Sequence, residues 1–325
     1  MICLDTNRAE NRMMFRQWTG AVVLLAVAGG AASAAGDSPP PAPPGAKTVS
    51  TAHPGLASGG LMHAKLADLP KDTLLRAGTL VLKESDLAAE IAAAPEAVRE
   101  QLRKNAFFVL EQVATRRLLV AEAKAAARQG KDAAKADERE LLDGYMNGIA
   151  AEAKVADAEI ADFYTKSKDQ VGDAKLEAVK EAIRRYLLQQ KRQQAVDEHI
   201  RSLGKRANAE VSADWTKQQA AAAADNPVDK ARASGKPSLV DFGSKGCRPC
   251  DMLAPILDAL RGKYAGRANV VFVSVREEQV LASRYGIQAI PEQVFFDKDG
   301  KEVFRHTGFW PQEKLEKKLA EMGVK

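Results

Sequence analysis

Apolar residues in the middle of the chain recur at three- and four-residue steps, whereas in its last quarter they gather into short runs separated by turn residues. The first pattern predicts helices and the second predicts strands alternating with helices. Thr79-Leu80-Val81-Leu82 reads as a short strand, with Ser85 or Asp86 as the N-cap of a helix that stops before Pro95. From Glu96 to Gln129, Val98, Leu102, Phe108, Val109, Val113 and Leu119 keep helical spacing, and Gly130 ends the run. Helices are predicted over Ala133 to Val155 and over Asp157 to Gln170, the latter capped by Asp157. A long polar helix from Leu176 to Lys205 carries Leu176, Val179, Ile183, Leu187, Val196, Ile200 and Leu203 on one face.

Beyond a break between Trp215 and Lys236 the period changes. Strands are predicted at Ser238 to Phe242, Val270 to Val275, Gln293 to Phe296 and Val303 to Thr307. Helices fall at Pro249 to Tyr264, Glu278 to Tyr285 and Pro311 to Glu321, and Asp297-Lys298-Asp299-Gly300 makes a hairpin turn. The expected fold class is therefore multidomain: an all-α helical domain over residues 74–215, a linker over 216–233, and an α/β domain over 234–325. A length of 325 residues suits two such cores better than one.

The amino-terminal composition sets the compartment. Arg12 and Arg16 precede an apolar stretch from Gly20 to Ala35 that ends in Ala32-Ser33-Ala34-Ala35. Residues 1–35 are expected to be a signal peptide cut after Ala34 or Ala35, which makes the protein periplasmic. The same stretch retained as an inner-membrane anchor is the competing reading. Residues 1 to 12 have the character of an extended start, since Met13 or Met14 opens a more usual signal. Residues 36–73, rich in Pro, Gly, Ala and Ser, are expected to be a tether, with order beginning near Leu74.

Charge narrows the function. The net charge of +5 comes from 48 basic and 43 acidic residues interleaved along the chain, without the basic stripe and aromatics of a nucleic-acid site. Nothing in the pattern sets an oligomeric state. Of three cysteines, Cys3 precedes the apolar stretch, and Cys247 and Cys250 flank Arg248 and Pro249. Cys247 follows a strand and stands at the amino end of a helix, where unpaired N–H groups and the helix dipole favour a thiolate. Arg248 adds a positive charge that tunes the same thiol. Cys247 is the expected nucleophile and Cys250, one turn on, the resolving thiol. A zinc half-site lacks further ligands here, so no metal and no cofactor are expected.

Leu239-Val240-Asp241-Phe242, Cys247-Arg248-Pro249-Cys250 with Pro255 in the following helix, and Tyr285-Gly286-Ile287-Gln288-Ala289-Ile290-Pro291 together resemble thioredoxin over residues 234–325. The resemblance implies that Asp241 is a buried carboxylate assisting deprotonation of Cys250. It further implies that Pro291 is cis and shapes a substrate groove, that Ile290 offers backbone hydrogen bonds, and that Gly308 admits a substrate chain. This sequence departs from the family at Gly246 in place of Trp, at Arg248 in place of Gly, and at Glu292 in place of Thr. Phe272 stands where many members carry a basic partner to the acid. His306 is expected at the surface.

The helical region resembles the non-catalytic part of SurA- and PrsA-type foldases, through Lys83-Glu84-Ser85-Asp86-Leu87, Leu118 to Ala123, Asp157 to Tyr164 and Ile183 to Lys191. Only Thr165 to Lys175 stands where those foldases hold a parvulin isomerase, so that activity is expected to be absent. The combined expectation is a periplasmic reductase or isomerase of protein disulfides, with a helical clamp holding unfolded substrate and a membrane thiol-redox protein as partner. A holdase chaperone with an accessory thioredoxin domain, and a membrane-anchored thiol reductant for cytochrome maturation, are the alternatives.

Overall fold

The computed structural model describes residues 47–127, 137–166 and 174–325. The expected signal segment and the Pro-rich start of the tether lie outside these residues, as do the helix end at Gly130, the helix start at Ala133 and the helix end at Gln170. The chain opens with α1 (Val49–Ala52), β1 (Lys65–Ala67), β2 (Thr73–Ala77), β3 (Leu80–Lys83) and α2 (Glu84–Ala93). Order thus starts well before Leu74, which corrects the tether expected up to residue 73. Val49, Leu56, Leu61 and Ala64 are buried in the amino-terminal core. They lie in an irregular segment with neither helix nor strand period, which is why the Pro- and Gly-rich composition masked them.

The predicted helix from Glu96 is two helices, α3 (Glu96–Lys104) and α4 (Ala106–Ala127). Asn105 breaks them: its side-chain amide donates to the Gln101 carbonyl at 2.9 Å, competing with the helical pattern. α4 is apolar nearly all round and forms the axis of the domain, burying Phe107, Leu110, Ala114 and Leu119. Its one buried carboxylate, Glu111, accepts N–H bonds from Gly59 and Leu61 on Oε1 at 3.0 and 3.1 Å and from Ser58 on Oε2 at 3.1 Å. That carboxylate thereby satisfies the unpaired amides of the irregular 56–62 segment. Burial pushes the Glu111 pKa up, opposed by these amides and by Arg284.

The helices continue with α5 (Glu138–Ala151), α6 (Asp157–Lys166), α7 (Leu176–Arg201) and α8 (Leu203–Arg206), followed by β4 (Glu210–Ser212). Asp157 is the first residue of α6 rather than its cap; its carboxylate meets Lys180 at 2.9 Å and Arg184 at 2.6 Å on α7. β4 returns to make a four-stranded sheet of order β1-β4-β2-β3, parallel to β1 and antiparallel to β2. The expectation of an all-α domain is corrected by this sheet. Of its strands, β3 matches the one predicted at Thr79 to Leu82; β1, β2 and β4, of three to five residues, show no clear period, and β4 pairs with strands far away in sequence.

The stretch expected as a linker over 216–233 is also helical, with α9 (Ala213–Ala223) and α10 (Pro227–Arg232). Asn226 caps α10 by accepting from the Val228 and Asp229 amides at 2.9 Å. The carboxy-terminal elements follow the predicted order: β5 (Ser238–Gly243), α11 (Arg248–Lys263), β6 (Asn269–Ser274), α12 (Gln279–Arg284), β7 (Glu292–Phe296), β8 (Glu302–Thr307) and α13 (Gln312–Glu321). Their sheet has the order β6-β5-β7-β8, with β5 parallel to β6 and antiparallel to β7. β5 is buried on both faces: Leu239 packs with Leu253, Leu257, Phe295 and Leu315, and Val240 and Phe242 with Val228, Leu281 and Phe296.

The two domains meet at α3 and α12. The Gln101 side chain donates to the Glu277 carbonyl at 2.7 Å and accepts from the Val280 amide at 3.2 Å. Val280 itself is buried in the amino-terminal core.

Candidate active site

β5 ends at Gly243, and Ser244 to Gly246 turn the chain into α11. The Cys247 amide donates to the Ser244 carbonyl at 3.3 Å, and Gly246 takes φ 79°, a conformation where a side chain is disfavoured. A glycine at the position where Trp is usual is therefore built into this turn. Cys247 is the N-cap of α11 with extended backbone angles, and Cys250 lies within its first turn. The two sulfurs are joined as a disulfide with a Cα–Cα distance of 5.2 Å. Cys247 is half-buried, whereas Cys250 is 4% exposed. One sulfur of the pair thus faces outward at a helix terminus and the other faces the core, the disposition expected for a nucleophile and a resolving thiol. Arg248 is exposed beside them.

Asp241 lies beneath the pair, fully buried on the face of β5 that α11 covers. Burial raises its pKa to about 6, and a hydrogen bond from Gln293 opposes the rise. That bond runs from Gln293 Nε2 to Asp241 Oδ1 at 2.9 Å, and Oδ2 is buried with no hydrogen-bond partner among the described residues. Oδ2 faces the backbone of Gly243: a Cβ at Gly243 would lie 3.3 Å from Oδ2, 3.5 Å from the Cys250 Cβ and 2.9 Å from the Phe272 ring. The carboxyl and Cys250 thus border the same small gap, which only glycine leaves open. Phe272 is the register partner of Asp241 on β6, so an aromatic edge replaces a basic group at that place.

The Ile290–Pro291 peptide is cis, and the Gly308 amide donates to the Pro291 carbonyl at 2.8 Å. Pro291 is buried and Ile290 half-buried. Glu292 is buried against Arg305, 3.1 Å from its Nη1, which also donates to the Tyr285 carbonyl at 3.0 Å. Burial pushes the Glu292 pKa up while Arg305 opposes the shift. The residue in place of Thr is therefore one half of an ion pair holding the 285–291 loop. His306 corrects the expectation of a surface histidine: it is half-buried and stacked on Trp310 at 4.6 Å between ring centroids. Burial pushes its pKa down.

The structure thus brings Cys247, Cys250 and Asp241 together, with Pro291 and Gly308 bonded to each other and Ile290 preceding the cis bond. Sequence reasoning missed Gln293, whose signal was a polar residue opening an otherwise apolar buried strand. Among the described residues no group of three or more His, Cys, Asp or Glu side chains is placed to hold a metal ion.

The thioredoxin-like domain family matches residues 224–323. Thioredoxin of Staphylococcus saprophyticus is 41% identical over 78 residues, covering 24% of this chain and 74% of that protein. Thioredoxin of Staphylococcus epidermidis is 40% identical over 91 residues, covering 28% of this chain and 86% of that protein. The chain belongs to the thioredoxin family. Among solved structures, a thioredoxin of Nicotiana alata is 32% identical, covers 29% of this chain and 80% of that one, and gives a TM-score of 0.27. The family match begins within the helical connection rather than at residue 234 and so includes α10, whose Val228 is buried in the core of the thioredoxin-like domain.

Proposed function

We propose that the protein is a periplasmic thiol-disulfide oxidoreductase that reduces or isomerises disulfides in unfolded proteins through Cys247 and Cys250. The single observation that carries this reading is the outward Cys247 at the head of α11, bonded to an inward Cys250 that shares a gap with a buried carboxyl. In the reduced protein, the Cys247 thiolate attacks a substrate disulfide; a mixed disulfide forms and one substrate thiolate leaves. Asp241, as carboxylate, then accepts the Cys250 proton. The Cys250 thiolate attacks the Cys247 sulfur, the mixed disulfide breaks, and the second substrate thiolate leaves as the internal disulfide forms. Two electrons pass to the substrate, and a membrane thiol-redox protein restores the Cys247/Cys250 dithiol.

Substrate lies along Pro291, with Ile290 offering its backbone and Gly308 leaving room for the chain; a Cβ at Gly308 would meet nothing within 4 Å. The amino-terminal domain acts as a foldase-like clamp for unfolded chains. Support for this comes from its contact with the redox domain through Gln101 and from the Phe163–Tyr186 aromatic pair, whose Tyr186 is 47% exposed. Export by residues 1–35 places it where disulfides persist. The test is insulin reduction and reactivation of a scrambled disulfide protein by the full chain. Activity abolished by Cys247→Ser is expected; a wild-type protein inert in both assays sinks the proposal.

A further inference from the structure

We infer that Gln293 is a positioning residue of the redox reaction: by holding Oδ1 of Asp241 it turns Oδ2 toward the gap shared with Cys250. This rests on the proposed redox role of the pair. A carboxyl group has two equivalent oxygens, and a buried one settles according to the donors around it. Among the described residues one side-chain donor reaches Asp241, the Gln293 amide at 2.9 Å. The other oxygen is fully buried, without a hydrogen-bond partner among the described residues, and 3.3 Å from the Cβ position of Gly243, on the side of Cys250. An unpaired buried acceptor is unfavourable unless something uses it, and the passing proton of Cys250 is what this one would receive.

Gln293 holds the carboxyl by a hydrogen bond and does not itself titrate. Phe272 faces Asp241 from β6, and Cys250 faces it from α11, whose Arg248 and Asp251 are exposed on the outer side. One strand beyond Gln293 stands its register partner His306 on β8. The charged pair Glu292 and Arg305 projects from the opposite face of the sheet, and on α13 Glu316 and Lys318 are engaged with Lys263 and Glu321. The Gln293 amide also favours the charged carboxyl against the effect of burial. Its loss should both disorient the carboxyl and raise the pH at which it works.

The experiment mixes reduced full-length protein with an aromatic disulfide reagent whose thiolate absorbs, from pH 4.5 to 8.5. The first burst of colour reports attack by Cys247 and the second reports resolution by Cys250. In the wild type the second phase should rise through a midpoint near the Asp241 value of about 6. In Gln293→Met, which keeps length but removes the donor, the midpoint should move up by about one unit, roughly a fivefold slower second phase at pH 6, with the first phase unchanged. A second-phase midpoint equal to that of wild type overturns the inference. If Gln293→Met does not fold, Gln293→Glu provides the same reading: two carboxyls sharing one proton move the midpoint up, and an unmoved midpoint again overturns it. A wild type lacking any second phase overturns the redox reading itself, a result distinct from either variant outcome.

Discussion

Arg284 on α12 lies 2.7 Å from Asp229 on α10, and both are largely buried. The same guanidinium donates to the Ala223 carbonyl at 3.1 Å and to the Gly55 carbonyl at 3.0 Å, so one side chain of the thioredoxin-like domain is bonded to the connecting helices and to the amino-terminal segment. Inter-domain contacts within a chain are ordinarily polar and mobile, but a buried charge with several fixed acceptors makes this one specific.

Replacement of Arg284 with Leu should therefore uncouple the domains. It removes one cation from Asp229, which keeps Arg232 at 3.2 Å, the Tyr285 hydroxyl at 2.7 Å and the Asn226 amide at 2.6 Å, and it takes the guanidinium from the Gly55 carbonyl and from the Ala223 carbonyl, which keeps the Asn226 amide. A loss of about 2 kcal/mol is expected, that of hydrogen bonds to a charged group. Denaturant unfolding followed by Trp fluorescence should show one wild-type transition become two in the variant. A single transition of unchanged midpoint would show that the junction carries no coupling.

Asp241 should make stability fall as pH rises. Its folded pKa, about 6, is above the ordinary value of 3.8, so between these values the native state holds a proton that the unfolded state has released. Stability is then greatest at and below about pH 4 and declines until about pH 6, by roughly 3 kcal/mol for a shift of this size. Asp241→Asn should flatten that decline and leave the protein more stable than wild type at pH 8. It should also slow resolution by about a hundredfold, as loss of a proton acceptor does. Equilibrium unfolding at pH 4 and pH 8 decides the first part; equal stability of the two proteins at pH 8 rules it out.

Glu292 and Arg305 should behave asymmetrically. Arg305→Met leaves Glu292 buried without its cation and releases the Tyr285 carbonyl, for a loss of about 3 kcal/mol. Glu292→Gln keeps an acceptor for Arg305 and should lose less. Because Arg305 anchors the loop that ends at Pro291, the Met variant should raise KM for a disulfide peptide several-fold more than it lowers kcat. Equal effects of the two substitutions on thermal unfolding would count against the pair as the anchor.

What could be read along the chain was what depends on neighbours in sequence. The helix-head position of Cys247, the turn at Asp297 to Gly300, and the order of strands after Ser238 all follow from local pattern. What escaped reading depends on register between strands. Phe272 and Gln293 reach Asp241 only because β6, β5 and β7 align in one row. β4 is paired by Arg76 and Glu210, which are 134 positions apart, and nothing within three residues announces it. The stacking of His306 on Trp310 is not legible in the sequence, because it follows from the path of the chain after β8, which periodicity does not specify.

Gly243 offers the sharpest steric test of the gap between carboxyl and resolving thiol. A methyl group there would sit 2.9 Å from the Phe272 ring, too close unless the ring moves, and 3.3 Å from Oδ2. Phe272 is 40% exposed and lies on an edge strand, so its ring can turn outward and the variant should fold. The methyl would then occupy the space through which the Cys250 proton reaches Asp241. Gly243→Ala should accordingly slow the resolving phase about tenfold while leaving attack by Cys247 intact. Phe272→Ala added to it should recover stability lost to the clash without recovering the rate, because the obstruction beside Oδ2 remains. If the double variant regains the wild-type rate, the ring and not the gap controls resolution, and the route through Gly243 must be abandoned.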